Sequence, residues 1–316
     1  RNAGTLEADA TELSVNASVL NTRDMSLSVG FNYDTYDQNI TKFDMPSYLY
    51  SAGGPKIFYM KEGTQYASFW GTKWATGVDH LPEGDQASSS QFALNDDGYY
   101  VWVGDGNAYT DGVSKTLWGK TSTGMSQTYN WGRPIMYADD TGNTIHQIGS
   151  AVPDFGYSFN ANFRFQGLTL YALFDGQSGG EIYNHTRQWG AREAATGDVD
   201  QYGKEEGLKK PTIYYRDLYH VNAPNDFYVE DGTYMKLREL AVKYNVASLV
   251  DMRGFGITGA NIGIVGRNLI TWTDYKGYDP EVGRGGGQLG SAVNARVDSY
   301  RYPNYRTFSF TVDIDF

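Results

Sequence analysis

Hydrophobic and polar residues alternate with a period of two along the last eleven residues of the chain, Arg306 to Phe316. The apolar positions are Phe308, Phe310, Val312, Ile314 and Phe316. This period places the two sets of side chains on opposite faces of a β-strand. A tilted strand needs about 9–11 residues to cross a bilayer, whereas strands of soluble proteins usually have about five or six. The stretch therefore predicts a long strand with one apolar face.

Six further segments show the same alternation, at residues 11–20, 25–36, 155–165, 168–176, 233–245 and 260–270. In the clearest one, 155–165, aromatic residues occupy one face, and Asn160, Asn162 and Arg164 lie on the other. The pair Gln166-Gly167 between two of these segments predicts a two-residue hairpin turn. The pattern predicts an all-β chain of about seven antiparallel strands.

The segment 233–245 changes phase halfway along its length. Met235 and Leu237 occupy odd positions, whereas Leu240 and Val242 occupy even ones. One extra residue would restore a single apolar face, because a β-bulge inserts one unpaired residue into a strand. We therefore predict a bulge near Arg238–Glu239.

The connections between the predicted strands alternate in length. Three are long, at about 37–154, 177–232 and 271–304. The other three, 21–24, 166–167 and 246–259, are short or medium and alternate with the long ones along the chain. In an up-and-down arrangement every long connection lies at the same end. Outer-membrane β-barrels have long extracellular loops and short periplasmic turns. The lengths favour such a barrel, in which the aromatic faces meet lipid and the polar faces line the lumen.

Composition is compatible with this interpretation. The 316 residues include 38 Gly, 26 Tyr, 15 Phe and 7 Trp, no Cys, and a formal net charge of −11. The acidic balance argues against a nucleic-acid partner, because such partners bind basic surfaces. The sequence contains no apolar run of about 18 residues, the length that predicts a transmembrane helix. Strands of a membrane barrel cross without such a run.

Several segments together resemble the SusC/RagA-like TonB-dependent outer-membrane transporters. The most specific is GRNLITWTDYKGYDPEV at 266–282, and DGTYMKLRELAVKYNV at 231–246 and YPNYRTFSFTVDIDF at 302–316 flank it. Upstream, ELSVNASVLNTRDMSLSVGFNY, SFWGTKWATG and IGSAVPDFGYSFNANFRF follow in the family's order. The segment ADDTGNTIHQ at 138–147 keeps only part of the family's acidic pattern, and the insert at 72–132 has no counterpart that we can match.

The resemblance implies a transmembrane barrel of 22 strands, of which residues 1–316 supply the C-terminal seven. It implies import of an oligomeric nutrient, a glycan or a peptide, through the outer membrane of a Gram-negative bacterium, with no covalent chemistry. The implied partners are a SusD-like surface lipoprotein, TonB acting through an N-terminal part, the remaining barrel strands and plug, and lipid including lipopolysaccharide. A TonB box, a plug and the N-terminal domains are missing from this sequence, so we expect it to be either a C-terminal fragment or one piece of a cleaved transporter. Phe308, Phe310 and Phe316 would then form the assembly signal.

Aromatic residues are the main candidates for ligand contact. Trp70, Trp74, Trp102, Trp118 and Trp131 lie in the first long connection. They could stack on sugar rings or bind peptide side chains; the alternative is that they pack the loops together, because buried aromatics chiefly supply packing area. Trp272, Tyr275 and Tyr278 follow a strand end, where we expect an interfacial girdle or loop scaffold. Asn160, Asn162 and Arg164 are expected to face the lumen.

The sequence offers little for metal binding or catalysis. Asp139, Asp140 and Asn143 could supply oxygen ligands to calcium, but their spacing is incomplete and a solvated turn is the favoured interpretation. His80, His146, His185 and His220 show no paired metal-ligand spacing. We expect neither a cofactor nor an enzyme. Two alternatives stay open: a secreted all-β carbohydrate-binding module, and a β-rich glycosidase domain with two carboxylates in a cleft.

Overall fold

The structure is a computed structural model that describes residues 3–50, 55–219, 223–249, 254, 256–281 and 296–315. The strands, in chain order, are β1 (Gly4–Asn21), β2 (Met25–Phe43), β3 (Tyr48–Tyr50), β4 (Phe58–Met60), β5 (Thr64–Gln65), β6 (Ser68–Gly71), β7 (Phe92–Leu94), β8 (Tyr100–Trp102), β9 (His146–Ser150), β10 (Phe155–Phe165), β11 (Leu168–Ser178), β12 (Glu181–Asn184), β13 (Val229–Asp231), β14 (Tyr234–Asn245), β15 (Gly259–Thr273), β16 (Val297–Asp298) and β17 (Thr307–Asp315). The helices are α1 (Glu83–Gln86), α2 (His185–Arg192) and α3 (Thr212–Tyr219). Single-turn 3₁₀ segments lie at Val78–His80, Ser89–Gln91, Tyr109–Asp111, Gly197–Val199, Glu206–Leu208, Asp226–Tyr228 and Val246–Ser248.

Seven long strands form one antiparallel sheet in the order β1-β2-β10-β11-β14-β15-β17. Each pairs with the strand that the alternation places next to it, and the short β5 adds to β2. The sequence-based prediction of seven antiparallel strands is confirmed. Among the described residues β1 and β17 do not pair with each other, so the sheet has two open edges. The described sheet is therefore not itself a closed barrel, because a closed barrel has no edges.

The register keeps the two kinds of side chain on separate faces across all seven strands. Phe159 lies between Phe31 and Phe174 on the neighbouring strands. Phe310 pairs with Ile264 in the same way. The rest of the described chain leaves this apolar face uncovered, and Phe310 and Phe159 are 81% and 42% exposed. The face is too apolar for water, because soluble monomers rarely expose an apolar patch of more than a few hundred Å².

The predicted bulge is present, and Arg238 is its extra residue. Towards β11, Leu237 pairs with Phe174 and Glu239 with Leu173, so Arg238 has no opposite residue. Towards β15 the register also shifts between Leu237 and Glu239. Because one residue is added, the apolar positions on both sides of the bulge share one face.

Turn geometry and strand ends show one confirmation and two corrections. Gln166 and Gly167 have φ angles of 44° and 88°, the left-handed pair that a tight two-residue hairpin turn needs. The first hairpin is longer than its alternation indicates, with strands of 18 and 19 residues, so the first long connection begins after Phe43 rather than at residue 37. Residues 37–43 are mostly polar, and backbone pairing with residues 4–9 extends the hairpin there without a regular apolar pattern in β2. Similarly, β15 continues to Thr273, beyond the predicted end at residue 270.

The long connections are folded and contain the hydrophobic cores of the molecule. One cluster joins the first and second connections through four fully buried side chains, Phe69, Tyr183, Tyr214 and Tyr228. A second cluster lies wholly within the first connection and occupies much of the 72–132 insert; its buried members are Ala75, Leu81, Phe92, Val101, Trp102, Val103, Tyr109, Tyr129, Trp131 and Ile135. These clusters make the loop end a packed layer. Among the described residues, no helix is long and apolar enough to span a membrane.

Candidate functional site

The polar face of the sheet is built from small hydrogen-bonded side chains. Ser14 donates to Asn32 at 2.8 Å, and Asn32 donates to Ser158 across the next strand at 3.0 Å. A Cβ added to Gly30 would lie 2.5 Å from the Asn160 side chain, so glycine makes room there for the amide. Asn160 thus lies on the face opposite Phe159. Asn162 and Arg164 follow on the same face of β10; the role of all three in a lumen stays a prediction.

At the loop end of this polar face lies a group of charged and neutral polar residues that we call the charge network: Asp175, Tyr234, Lys236, Arg238, Asn268, Asp279, Glu281 and Asn304. The Lys236 side chain is 1% exposed. Its Nζ donates to Asp279 at 2.6 Å and to Glu281 at 2.8 Å. A buried ammonium of this kind is stable only because carboxylates accompany it, since transfer of an isolated charge from water is very costly.

Arg238 joins the network through the bulge. Two of its nitrogens donate to the two carboxylate oxygens of Glu281, both at 2.9 Å, and Nε and Nη2 donate to Asp175 at 2.9 and 2.6 Å. Its Nη1 also donates to Asn268 at 3.0 Å. Asn268 has a φ of 52°, and it lies in the irregular stretch of β15 opposite the bulge. The bulge therefore presents the guanidinium, a planar fork suited to carboxylates, to three side chains from three segments.

Glu281 is the acceptor at the centre of the network. Burial favours its neutral form, but hydrogen bonds and charge from Arg238 and Lys236 outweigh burial and hold its pKa well below the usual range. Tyr234 OH donates to it at 2.9 Å, and Asn304 Nδ2 donates at 2.9 Å. The backbone N–H of Asn304 also donates to Asp279 at 2.9 Å. Hydrogen bonds and ion pairs of the network therefore hold both ends of the connection between β15 and β17, at Asp279–Glu281 and at Asn304, against the sheet.

The network joins the three segments that carry the family resemblance, namely 231–246, 266–282 and 302–316. Sequence reasoning used those segments only as a signature and missed the contact between them. The signal was present, because Lys236 and Arg238 are charged residues within a strand and need buried partners. Their partners lie about 40 residues away in sequence, at Asp279 and Glu281.

The loop tryptophans divide into two groups. Trp74, Trp102 and Trp131 are 5%, 8% and 3% exposed and belong to the two hydrophobic clusters, which is the packing alternative. Their burial removes the surface that a ligand contact needs. Trp118 is 38% exposed and Trp70 is partly exposed, so these two keep the predicted ligand role.

The aromatic residues after β15 occupy three different environments. Trp272 is 43% exposed and stacks on Phe174, with ring centroids 6.4 Å apart, on the apolar face near the loop end. Tyr275 is buried and donates to Asp298 at 2.6 Å, which makes it part of the loop scaffold. Tyr278 is 79% exposed. The girdle or scaffold role of the three residues stays a prediction, with which the environments of the first two are compatible.

The acidic turn near residue 140 satisfies its own hydrogen bonds. Asp139 Oδ1 accepts from Thr141 N at 2.9 Å, Thr141 Oγ1 at 2.6 Å and Asn143 N at 3.0 Å. These hydrogen bonds, first that from Thr141 Oγ1, lower the pKa of Asp139 to about 2. Within the ranges that the structure describes, no group of three or more His, Asp or Glu residues is close enough to hold a metal ion. The calcium hypothesis for Asp139, Asp140 and Asn143 thus gains no support.

The remaining predicted residues are also placed. The rings of His80 and His146 both lie close to the ring of Tyr137, with centroids 4.5 and 4.7 Å from it, and His185 accepts from Trp189 Nε1 at 2.8 Å. Phe308 and Phe310 lie on the last strand, 61% and 81% exposed. His220 and Phe316 lie outside the described residues.

An open cavity of about 970 Å³ lies beside the network, between α2 and the connection from β15 to β17. We call it the tyrosine pocket; its rim includes Lys276, Tyr278, Tyr300, Arg301 and Tyr302, and Asp198 and Asp298 lie deeper. Tyr300 and Tyr302 are 61% and 91% exposed. Sequence reasoning did not select this site, because its parts come from three separate segments, 184–198, 276–278 and 298–303.

Two curated proteins from Formosa agariphila are similar to the chain. It is 27% identical over 329 aligned residues to TonB-dependent receptor P3, a match that covers 100% of this chain and 29% of the receptor. It is 28% identical over 195 residues to TonB-dependent receptor P26, covering 57% of this chain and 19% of that receptor. The chain thus spans less than a third of the length of these relatives. No model of a known protein family matches it.

Solved structures show the same fold. The RagAB peptide transporter aligns with 99% of this chain and 30% of its own chain, at a TM-score of 0.57 and 18% identity. The RagAB peptide importer in the open-open state aligns with 99% of this chain and 29% of its own, at a TM-score of 0.56 and 18% identity. These proteins are named as receptors and transporters rather than enzymes. Sequence and fold together confirm the resemblance: the chain is similar, over its whole length, to one part of a SusC/RagA-like TonB-dependent receptor.

Proposed function

We propose that this chain is the C-terminal part of the wall of a TonB-dependent outer-membrane barrel that imports an oligomeric nutrient, a glycan or a peptide. The observation that carries the proposal is the division of the seven-stranded sheet into one uncovered apolar face and one polar face. Hydrocarbon is the environment that favours the first, and a watery lumen favours the second. Strands from the rest of the protein would close the two open edges, because unpaired backbone groups are costly in lipid.

The folded loop end supports a role as a rigid chamber at the extracellular mouth. Its two hydrophobic clusters and the charge network hold the long connections against the sheet. A SusD-like surface lipoprotein would cover this layer, and a plug and TonB, acting through parts outside this chain, would control and energise passage. The name of the RagAB peptide transporter supports a peptide as one cargo class, and the aromatic rim of the tyrosine pocket supports a glycan as the other.

Neither alternative function gains an observation in its favour. A secreted sandwich module would cover the apolar face with a second sheet, yet the smaller sheets lie in the loop layer and Phe310 is 81% exposed. A glycosidase would hold two free carboxylates in a cleft. Asp279 and Glu281 are close together, but Lys236 and Arg238 neutralise both and little of either is exposed.

Cysteine labelling tests the assignment of the faces, because these 316 residues contain no cysteine. Phe159→Cys and Asn160→Cys place the thiol at adjacent positions of β10, on opposite faces. Both variants are made in the complete transporter, expressed in the outer membrane, and treated with a charged maleimide before and after detergent extraction and unfolding. We expect Asn160→Cys to react in the folded protein and Phe159→Cys to react only after unfolding.

A charge scan provides the matched control. Phe159→Lys should reduce the yield of folded barrel, because a lysine that faces lipid at the midplane costs about 2–4 kcal/mol. Asn160→Lys should have little effect, because the polar face is hydrated. Equal labelling of both cysteines, or equal tolerance of both lysines, would refute the membrane assignment and the import function with it.

A further inference from the structure

We propose that the tyrosine pocket binds a carboxylate-bearing oligosaccharide, in which the sugar rings lie against the tyrosines and the acid groups meet Lys276 and Arg301. The inference rests on the proposed function and names the cargo class of one site within it. The volume of about 970 Å³ is at the upper end of the usual range for ligand sites, enough for several sugar rings.

The two exposed charged groups of the pocket are cations. Lys276 and Arg301 are both exposed, and within the described part of the chain neither side chain forms an ion pair. Because the whole chain carries a net charge of −11, these two cations form a local exception to an acidic molecule. Such an exception favours an anionic ligand at this place.

The carboxylates of the pocket are already occupied. Asp198 receives hydrogen bonds from Arg187 at 2.6 and 2.7 Å. Asp298 is 2% exposed and accepts from Tyr275 OH at 2.6 Å and from Thr186 Oγ1 at 2.8 Å. Neither carboxylate is therefore available to a ligand cation, which removes the competing preference for a basic ligand.

The backbone of Tyr300, one of the three rim tyrosines, is held in place. Tyr300 has a φ of 57°, an unfavourable value for a bulky residue, and its backbone N–H donates to Thr186 Oγ1 at 2.7 Å. Such a conformation costs about 1–3 kcal/mol and persists only where the surroundings impose it. Tyr278 and Tyr302 are 79% and 91% exposed, so three accessible rings with polar tips line the same pocket as the two cations.

A sugar fits these groups better than a peptide does. A peptide bound in extended form derives much of its affinity from main-chain hydrogen bonds to free polar groups. Here the buried polar groups are bonded to one another, and Thr186 also donates to the carbonyl of Asp298. An acidic sugar needs apolar ring contact and a few charged contacts, while its hydroxyl groups stay hydrated in the open cavity.

The test measures binding by calorimetry to the complete transporter in detergent, without TonB. The probes are hexagalacturonate, neutral maltohexaose and hexaglutamate. We expect hexagalacturonate to bind most tightly and to weaken with salt. The double variant Lys276→Gln/Arg301→Gln should lose about tenfold or more in affinity, the range expected for contacts to charged groups. Tyr300→Gly should also weaken binding, because glycine accepts a φ of 57° and only the ring is lost.

The control Lys120→Gln removes an exposed cation from a different part of the first long connection and should leave affinity unchanged. Preferred binding of hexaglutamate, unchanged affinity in the double variant, or no binding of any probe would each overturn the inference. The labelling of Phe159→Cys and Asn160→Cys is independent of this result. If those cysteines react as expected and the pocket does not bind, the import function stands and only the pocket assignment fails.

Discussion

Glu281→Gln is the sharpest perturbation of the charge network. The substitution keeps the size of the side chain and removes its charge, while Lys236 and Arg238 stay in place. The Glu281 carboxylate accepts from Arg238 at 2.9 Å through both oxygens and from Lys236 at 2.8 Å. After the change, Lys236, whose side chain is 1% exposed, keeps Asp279 as its one anionic partner among the residues that the structure describes.

The expected cost is large because the partners are buried. Removal of one partner from a buried ion pair costs about 3–5 kcal/mol, whereas an exposed pair is worth about 0–1 kcal/mol. The Glu281 side chain is 3% exposed, so the first figure applies. The free energy is lost from the contact between the sheet and the β15–β17 connection, not from the sheet itself. At about 1.4 kcal/mol per factor of ten, the released state of this connection becomes roughly 150- to 4,000-fold more populated.

Limited proteolysis detects this released state. Lys276 is an exposed trypsin site within the pinned connection, and cleavage requires the surrounding backbone to open. When reclosing is fast, the cleavage rate follows the population of the open state. We expect Glu281→Gln to raise the rate after Lys276 by about 10²-fold, with the mobility of the folded barrel on a gel unchanged.

Asp274→Asn is the matched control, because Asp274 is an exposed carboxylate of the same connection. It should be cleaved at the wild-type rate. A second check is Lys236→Met combined with Glu281→Gln, which should be less damaging than the sum of the single changes, because each removes the unpaired charge that the other leaves. Wild-type cleavage of Glu281→Gln, or strict additivity of the pair, would refute the anchoring role.

Three further predictions concern other parts of the chain. Burial raises the pKa of Asp226 to about 6. The loop layer should therefore be most stable below about pH 4 and should lose up to about 3 kcal/mol of stability as the pH rises to 7. In thermal melts, Asp226→Asn should abolish this pH dependence. Deletion of Arg238 should prevent formation of a heat-modifiable barrel by moving half of β14 to the wrong face, whereas Arg238→Ala, which keeps the residue count, should still assemble. Gly167→Val should cost roughly 1–2 kcal/mol in urea unfolding, because Gly167 has a φ of 88°, whereas the same change at Gly197, where φ is not left-handed, should cost less.

The wall strands could be predicted from sequence because their two faces meet different environments. Alternation of period two located all seven strands, and the phase change in β14 located the bulge at Arg238. The ends of the strands were less predictable. Residues 37–43 are mostly polar on both faces, so no hydrophobic pattern marks how far β2 continues.

The loop layer could not be predicted, because its cores are assembled from distant segments. Phe69 and Tyr183 belong to one cluster although 114 residues separate them. No local period indicates such a contact, and for the tryptophans of the first connection the sequence favoured packing but left ligand binding open. The pocket could not be predicted for the same reason. Its cations stand out only when the structure shows that the neighbouring carboxylates, Asp198 and Asp298, already accept hydrogen bonds from other residues.

Arg238 connects the sheet to the loop layer, because it is the inserted residue of the bulge and also pairs with Glu281. Its insertion keeps Leu237 and Leu240 on the apolar face, and it directs the guanidinium itself to the polar face. The same residue then holds Glu281 and, through Glu281, the connection that forms the rim of the tyrosine pocket. Arg238→Ala should therefore separate the two roles: the sheet keeps its register, while trypsin cleavage after Lys276 rises as it does in Glu281→Gln. If Arg238→Ala leaves that cleavage at the wild-type rate, the bulge serves the register of β14 alone and Lys236 carries the anchor.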